Sequence, residues 1–255
     1  MTPGELPELR LIGLRDVPEV RPGMDVADVV REALAAAGQT LHDGDVLVVT
    51  HKIVSKAEGR LVDLRTVEPS DLARRFAARW GKDPRHTEMV LRESARIVRM
   101  DRGIIISQTP HGFVCANAGV DASNVPGDDT LCLLPRDPDA SARSLRAALM
   151  AAGSADFAVI ISDSFGRPWR NGIVNIAIGV AGIAPLMDYR GRPDDYGRVM
   201  NVSVIAVADE IAAAAELVMG KVSRCPVVVV RGYPYERGDG GAREIVLDPA
   251  LDLFP

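Results

Sequence analysis

The sequence predicts an α+β fold of mixed and antiparallel sheets with flanking helices, arranged in two subdomains. Three observations predict it. Amphipathic helical stretches alternate with short apolar runs towards both ends of the chain. Between them, Ile97 to Val125 alternates short β-branched runs with Gly, Asn and Pro, the pattern of antiparallel strands and loops. No GxGxxG follows any predicted strand, so a doubly wound dinucleotide sheet has no fingerprint here.

The elements follow in order. Asp25 is placed to cap a helix through Ala37, because Val26, Val29, Val30, Ala33, Leu34 and Ala37 recur at helical spacing and Gly38 stops it. HDGD (42–45) turns the chain into VLVVTHKIV (46–54), read as one buried strand. Ser70 starts a second helix carrying Leu72, Phe76 and Trp80. After the strand-rich middle, the Pro/Asp-rich LPRDPDAS (134–141) reads as a surface crossing between subdomains of a single domain spanning 1–255. A helix over Ala140–Met150, the strand FAVIIS and a glycine-rich stretch come next. The strand NVSVIAVA (201–208), the alanine-rich helix Asp209–Met219 and the strand PVVVVRG (226–232) complete the order.

Composition narrows the function. Apolar residues at 47% and charged residues at 25% are near globular averages, which excludes disorder, collagen-like and coiled-coil chains. A net charge of −5 gives no global attraction for nucleic acid or an anionic membrane, so an anionic ligand must be held by local clusters. No apolar run approaches the roughly 18 residues that cross a bilayer. The opening MTPGELPELR has no basic region leading into an apolar stretch, so the expectation is a cytoplasmic protein without a signal peptide. Cys115, Cys132 and Cys225 form no CxxC pair and are expected to be buried and structural. Aromatics at 4% argue against a stacking platform for single strands.

Several familiar signatures are missing. Gly220-Lys221 follows its helix and lacks the first Gly and the hydroxyl of a phosphate-binding P-loop. HExxH and GxSxG are absent as well.

Four segments carry groups suited to chemistry. Thr50 to Arg60 clusters Lys52, Ser55, Lys56 and Glu58 where an apolar strand gives out; Lys56 could neutralise phosphate, or a Lys–Glu pair could be solvated there. Asn117 to Asn124 is a turn-forming run in which Asp121 could bind a hard cation and Asn124 a nucleotide. Ile160 to Gly172 ends a strand in Asp163 between two serines, followed by a loop with Arg167 and Arg170, cations suited to carboxylate or phosphate. Met187 to Arg198 sets Arg190, Arg192 and Arg198 among turn formers, as a substrate loop or a charged surface loop. His42, His86 and His111 are read as solvent-facing or satisfied, without metal-ligand spacing.

Taken together, these segments resemble the coenzyme F420-0:γ-glutamyl ligase family, whose members add glutamate to a deazaflavin coenzyme precursor. The resemblance runs through HKIVSKAEGR, AGVDASNV, SDSFGRPWRNGIVNIAIGVAGI, DYRGRPDDYGR, ADEIAAAAELVMGK, PVVVVRG and the terminal DLF, in family order over nearly the whole chain. SDSFGRPWRNG together with AGVDASNV is its most specific part. The chain is also similar to the ligase half of a two-domain version; it ends at Pro255, so the nitroreductase-like second domain is expected to be absent.

The resemblance implies a family-like α+β fold, a homodimer, GTP as phosphoryl donor, and Mg²⁺ or Mn²⁺ with K⁺ as a helper. It places Leu14, Arg15, Asp16 and Val17 in an N-terminal nucleotide-contacting segment, and His51 beside the nucleotide where the family often has a small hydroxyl residue. Lys56 matches the nucleotide-binding lysine, and Asn124 and Gly220 match nucleotide contacts. Asp121 and Asp163 match metal-ligand aspartates, with Ser164 at the adjoining hydroxyl position. Lys221 stands where some relatives place a metal-binding glutamine; an ammonium cannot ligate a cation, so one metal position is expected to be filled differently.

The implied reaction has two steps, in which GTP phosphorylates a carboxylate of F420-0 and the amine of L-glutamate then displaces phosphate. Lys56 offsets charge on the transferred group, while Arg167, Arg170 and Arg198 are chosen from local charge to grip the anionic substrate. A nucleotide or deazaflavin carrier without turnover, or a related ligase with another acidic acceptor, are the alternatives.

Overall fold

A five-stranded mixed sheet organises the larger core of the computed structural model, which describes residues 7–153 and 155–252. Met1 to Leu6, and Leu253 and Phe254 of the quoted terminal DLF, lie outside the described residues. In chain order the elements are β1 (Arg10–Leu14), α1 (Val26–Ala36), β2 (Val46–Thr50), α2 (His51–Ala57), β3 (Leu61–Asp63), α3 (Asp71–Trp80) and α4 (Pro84–Arg92). Next come β4 (Arg96–Asp101), β5 (Ile104–Gln108), β6 (Val114–Ala116), β7 (Thr130–Cys132), α5 (Pro138–Ala152), β8 (Ala158–Arg167) and β9 (Arg170–Ala181). β10 (Met187–Asp188), β11 (Val204–Ile205), α6 (Val207–Met219) and β12 (Val227–Arg231) close the sequence.

The main sheet runs β1-β12-β2-β8-β9, antiparallel except for the parallel pair β2/β8. Its central strands are near-continuous apolar runs because both faces are covered. On one face Leu47, Val49, Val159, Ile161, Val227 and Val229 pack with buried residues of α1 and α5. On the other, Val46, Val48, Ala158, Ile160 and Val228 meet Val207, Ala208, Ile211, Ala212 and Ala215 of α6. A second, smaller core of Leu64, Val67, Met89, Val90, Ile105, Val120 and Leu131 lies among α4, β5 and β7. The β3/β7 pair and the antiparallel sheet β4-β5-β6 belong to this region, so the mixed α+β architecture is as expected. Among the described residues no helix is long and apolar enough to cross a membrane.

Asp25 and Ser70 cap α1 and α3 as expected, whereas α4, which Asp83 caps, goes unforeseen and α5 starts at Pro138 inside the run read as a surface crossing. Asp25 accepts from the Ala27 amide, Ser70 from Ala73 and Asp137 from Ala140. Three expectations are corrected. The run 46–54 is not one strand: β2 stops at Thr50 and α2 begins at His51. A short run buried on every side has no periodicity to separate strand from helix. NVSVIAVA contributes only Val204–Ile205 to a strand, since Val207 and Ala208 already turn inward as the first turn of α6. The arginine loop and glycine-rich stretch after Asp163 are instead a long hairpin, with Arg167 pairing Arg170 across a Pro168-Trp169 turn and Trp169 at φ 56°.

This hairpin carries a bulge. Ile161 pairs with Gly179 and Ser162 with Ala177, which leaves Ile178 as the extra residue of β9. Ile178 packs on the α5 face, and so does Gly179, where an added Cβ would lie 2.3 Å from the Pro138 carbonyl oxygen. Beyond the bulge the alternation resumes one step out of phase, so Ala177 and Asn175 face α6.

Candidate active site

The parallel pairing of β2 and β8 ends at Thr50 opposite Ser162, β8 running on beside β9, and a cleft of about 760 Å³ opens where β2 stops. Crevices at the carboxyl ends of parallel strands are common ligand sites because the strands stop while their side chains stay rigidly held. Three more segments complete the cleft: Val17–Val20 after β1, the loop from Ala116 to Pro126, and the turn Gly220–Pro226 after α6.

One wall comes from α2 and the Asp121 loop. Lys52 and Lys56 are four residues apart and share a helix face. Lys56, only 8% exposed, donates to Glu19 Oε1 at 2.5 Å. It is therefore neither solvated nor at a strand end. Lys52 Nζ lies 2.6 Å from Asp121 Oδ2 and donates to the Ser123 hydroxyl at 2.7 Å and the Ser123 carbonyl at 3.0 Å. The Asp121 backbone is clamped to Cys132 by reciprocal bonds of 3.0 and 2.8 Å, and its Oδ1 accepts from the Ser123 amide at 2.7 Å. Burial pushes the Asp121 carboxyl up, but Lys52 and the Ser123 donors outweigh it, and the net shift is below the ordinary value.

The other wall is built from β8, β9 and α6. Asp163 follows the last β8 residue that pairs with β2, and its Oδ1 accepts from the Ser164 amide at 2.7 Å. Among the described residues it forms no ion pair with a lysine or arginine. Its neighbour is the buried ring of His51, with Nε2 3.3 Å from Oδ1 but off-line for a hydrogen bond. Ser164 donates to Asn175 Oδ1 at 2.7 Å, and Asn175 Nδ2 donates to Glu216 Oε2 at 3.0 Å. Lys221 Nζ donates to the Ser164 hydroxyl and stands 3.8 Å from Glu216 Oε1. The Ser162 hydroxyl, buried in the same wall, has no hydrogen-bond partner among the described residues.

The donors suit a hard cation. Asp163, Ser164 and Asp121 offer only oxygen, and Asp163 is a shielded carboxylate with no cationic side chain against it. Among the described residues no three carboxylate, imidazole or thiolate groups converge into a preformed cage. A hard divalent cation commonly takes one or two carboxylates and completes its shell with water and phosphate oxygens.

The cleft gathers most of the residues singled out in the sequence. Val17, His51, Lys56, Asn124, Gly220, Asp121, Asp163 and Ser164 all line it. Leu14 is fully buried at the end of β1, while Arg15 and Asp16 are exposed beside Val17, Asp16 at φ 58°. Arg167 and Arg170 are exposed at the turn of the hairpin, away from the cleft lining, and Arg198 lies exposed in the loop between β10 and β11. The three cysteines are free and buried, as expected; burial pushes the Cys115 thiol up to about 12 and Cys132 to about 11, so neither is a ready nucleophile. His86 departs from expectation, because its buried Nε2 has no partner among the described residues.

Four cleft groups had no assigned role in the sequence. Glu19 and Lys52 find their partners 37 and 69 positions away, and Asn175 meets Glu216 across 41 residues. Glu216, an acid inside an alanine-rich apolar helix, was the one local signal.

Comparison with known proteins places the chain. Residues 15–232 match the family model described as F420-0:Gamma-glutamyl ligase. A protein of Methanothermobacter thermautotrophicus named coenzyme F420:L-glutamate ligase is 47% identical over 250 residues, 96% of this chain and 98% of that protein. Proteins of the same name from Methanopyrus kandleri and Methanocaldococcus jannaschii are 44% and 40% identical, covering 98% and 84% of this chain and 99% and 86% of their own lengths.

Proposed function

The chain belongs to the F420-0:gamma-glutamyl ligase family, and from that premise we propose that it is a GTP-dependent ligase joining L-glutamate to coenzyme F420-0, and to F420-1, with release of GDP and phosphate. The observation that carries this reading is the convergence of Lys52, Lys56, Asp121 and Asp163 on one cleft, a set suited to a polyphosphate and its cation.

A carboxylate is a poor electrophile, so it must be activated before an amine can attack. A carboxylate oxygen of F420-0 forms a bond to the γ-phosphorus of GTP as the bond to the bridging oxygen of GDP breaks. The resulting acyl phosphate is attacked by the glutamate amine, which loses a proton as the C–O bond to phosphate breaks. A bound Mg²⁺ or Mn²⁺ supplies charge neutralisation on the phosphate oxygens.

The chain's residues hold and orient the reactants. Lys56, held in a shielded position, offsets charge that spreads over the transferred group. Asp121, Asp163 and Ser164 present oxygens to the cation, while Val17, His51, Asn124 and Gly220 border the nucleotide. Arg167 and Arg170, at the hairpin tip, reach towards the acidic ends of substrates that extend beyond the cleft. The active species is a homodimer, as the family resemblance implies.

The test is mass spectrometry of F420-0 incubated with the protein, GTP, L-glutamate and Mn²⁺. The expected product is heavier by glutamyl units, with one phosphate released per unit. Unchanged F420-0 alongside folded, GTP-bound protein would overturn the ligase reading in favour of a carrier or another acceptor.

A further inference from the structure

Ser164, Asn175, Glu216 and Lys221 form a closed ring with a fixed polarity. The Lys221 ammonium donates to the Ser164 hydroxyl, Ser164 donates to the Asn175 amide oxygen, and the Asn175 amide nitrogen donates to Glu216. Glu216 closes the ring at 3.8 Å from Lys221 Nζ, an ion-pair distance too long for a hydrogen bond. Asn175 is buried, which fixes the amide, and the amide fixes both its neighbours. Each hydroxyl and amide group is thus oriented, and one member of the ring is half exposed.

That member is Lys221. It follows Gly220, whose φ of 57° turns the chain out of α6, and the Ser223 hydroxyl donating to the Met219 carbonyl braces the same turn. The Lys221 side chain is about half exposed, at 54%, and Lys221 itself lines the cleft. An ammonium carries three donors, and only one is used on Ser164. Two remain for oxygens arriving from the cleft. Glu216 keeps the charge local, and the neighbouring Asp163 has no lysine or arginine of its own among the described residues.

We infer that the Lys221 ammonium is a built-in monovalent cation of the cleft, held by Ser164 and Glu216 and presented to the terminal phosphate of the bound nucleotide. An ammonium group and a dehydrated K⁺ have similar size and the same charge, so a tethered ammonium removes the need to recruit a free ion. Lys221 accordingly acts in nucleotide binding more than in the chemical step. This inference rests on the nucleotide-binding reading above and adds the residue that supplies the cation.

The experiment measures GTP affinity by calorimetry for the full chain and for Lys221→Met and Lys221→Gln, at constant ionic strength in choline, sodium, potassium or ammonium chloride. The parent protein should bind GTP with an affinity independent of the monovalent cation. Both variants should bind about tenfold more weakly in choline, the loss typical of a charged hydrogen bond, and recover in potassium or ammonium. Equal melting temperatures would establish that the variants are folded. Variants that bind as tightly as the parent in choline would overturn the inference, as would weak binding that no monovalent cation restores. An equal potassium dependence in the parent would do the same. If the parent binds no GTP, the nucleotide reading itself falls and the inference with it; normal parental binding with any of the other failures leaves that reading standing.

Discussion

The two walls of the cleft handle negative charge in opposite ways. On the α2 wall every acid has a lysine directly against it: Asp121 with Lys52 at 2.6 Å and Glu19 with Lys56 at 2.5 Å. On the β8–β9 wall the charges are indirect. Asp163 faces an imidazole, and Glu216 is tied to Lys221 largely through an amide and a hydroxyl. The difference teaches where a ligand must compete. A cation approaching Asp121 has to displace an ammonium already in place, whereas Asp163 is open to one. The α2 wall is balanced before anything binds, and the β8–β9 wall is balanced by binding.

The sharpest way to break this comparison is Asp163→Asn. If Asp163 is the open carboxylate, losing its charge should lower GTP turnover by about 10²–10³ in kcat, measured as phosphate release at saturating Mn²⁺. Full turnover would erase the distinction between the walls. Lys56→Ala should cost on the order of 10² in kcat by removing a positioned charge. The stability loss should stay within about 1 kcal/mol, because its partner Glu19 is largely exposed and the freed carboxylate finds water; chemical denaturation checks it.

Smaller effects sharpen the picture. Lys52→Met removes the ammonium that competes at Asp121, so Mn²⁺ affinity, followed by electron paramagnetic resonance, should rise a few-fold. Weaker Mn²⁺ binding would mean that Lys52 assists the cation instead of competing with it. The same change should move the Asp121 carboxyl upward, since burial alone raises it and Lys52 is the main opposing influence. In the parent protein the depressed value makes the Lys52–Asp121 contribution to stability complete above the ordinary carboxylate range, and it is lost as pH falls through the folded-state value. In Lys52→Met that acid-side loss should shrink, since only the Ser123 donors still lower the carboxyl. Asp121 is well exposed to solvent screening, so the difference is below about 1 kcal/mol, visible as a shallower acid limb in denaturation midpoints against pH.

Each wall hid two of its groups from the sequence. The helices α1 and α3 were legible because Asp25 and Ser70 signal through contacts two or three residues away, but α4, capped by Asp83 in the same way, was not. The β2–α2 break was not, since Val46 to Lys56 is almost uniformly buried and the apolar run looks alike as strand or helix. Missing α2 hid Lys52, whose partner Asp121 arrives from a loop far along the chain. On the other wall, Asp163 and Ser164 were legible as polar residues ending an apolar strand. Asn175 was hidden because its face depends on a bulge that the residues of β9 do not announce, and Glu216 because its meaning lies in a contact with another element. Arg167 and Arg170 were chosen for charge alone, and their location at a hairpin tip follows from strand length, which a glycine-rich sequence conceals.

The bulge at Ile178 makes the cleft depend on the length of β9 as well as its composition. The residues from Ala177 to Ile173 inherit their facing from that one supernumerary position, much as codons inherit a frame, and a second shift between Gly166 and Arg167 sets the hairpin tip apart. Deleting a single residue there would exchange inside for outside along half a strand, carrying Asn175 away from Ser164 and Glu216 while every side chain chemistry remained present. Apart from Gly179, where a Cβ would meet the Pro138 carbonyl, substitutions around the bulge can be absorbed more readily than a change in residue count between Ala177 and Gly179, and lineages carrying this site should keep that count.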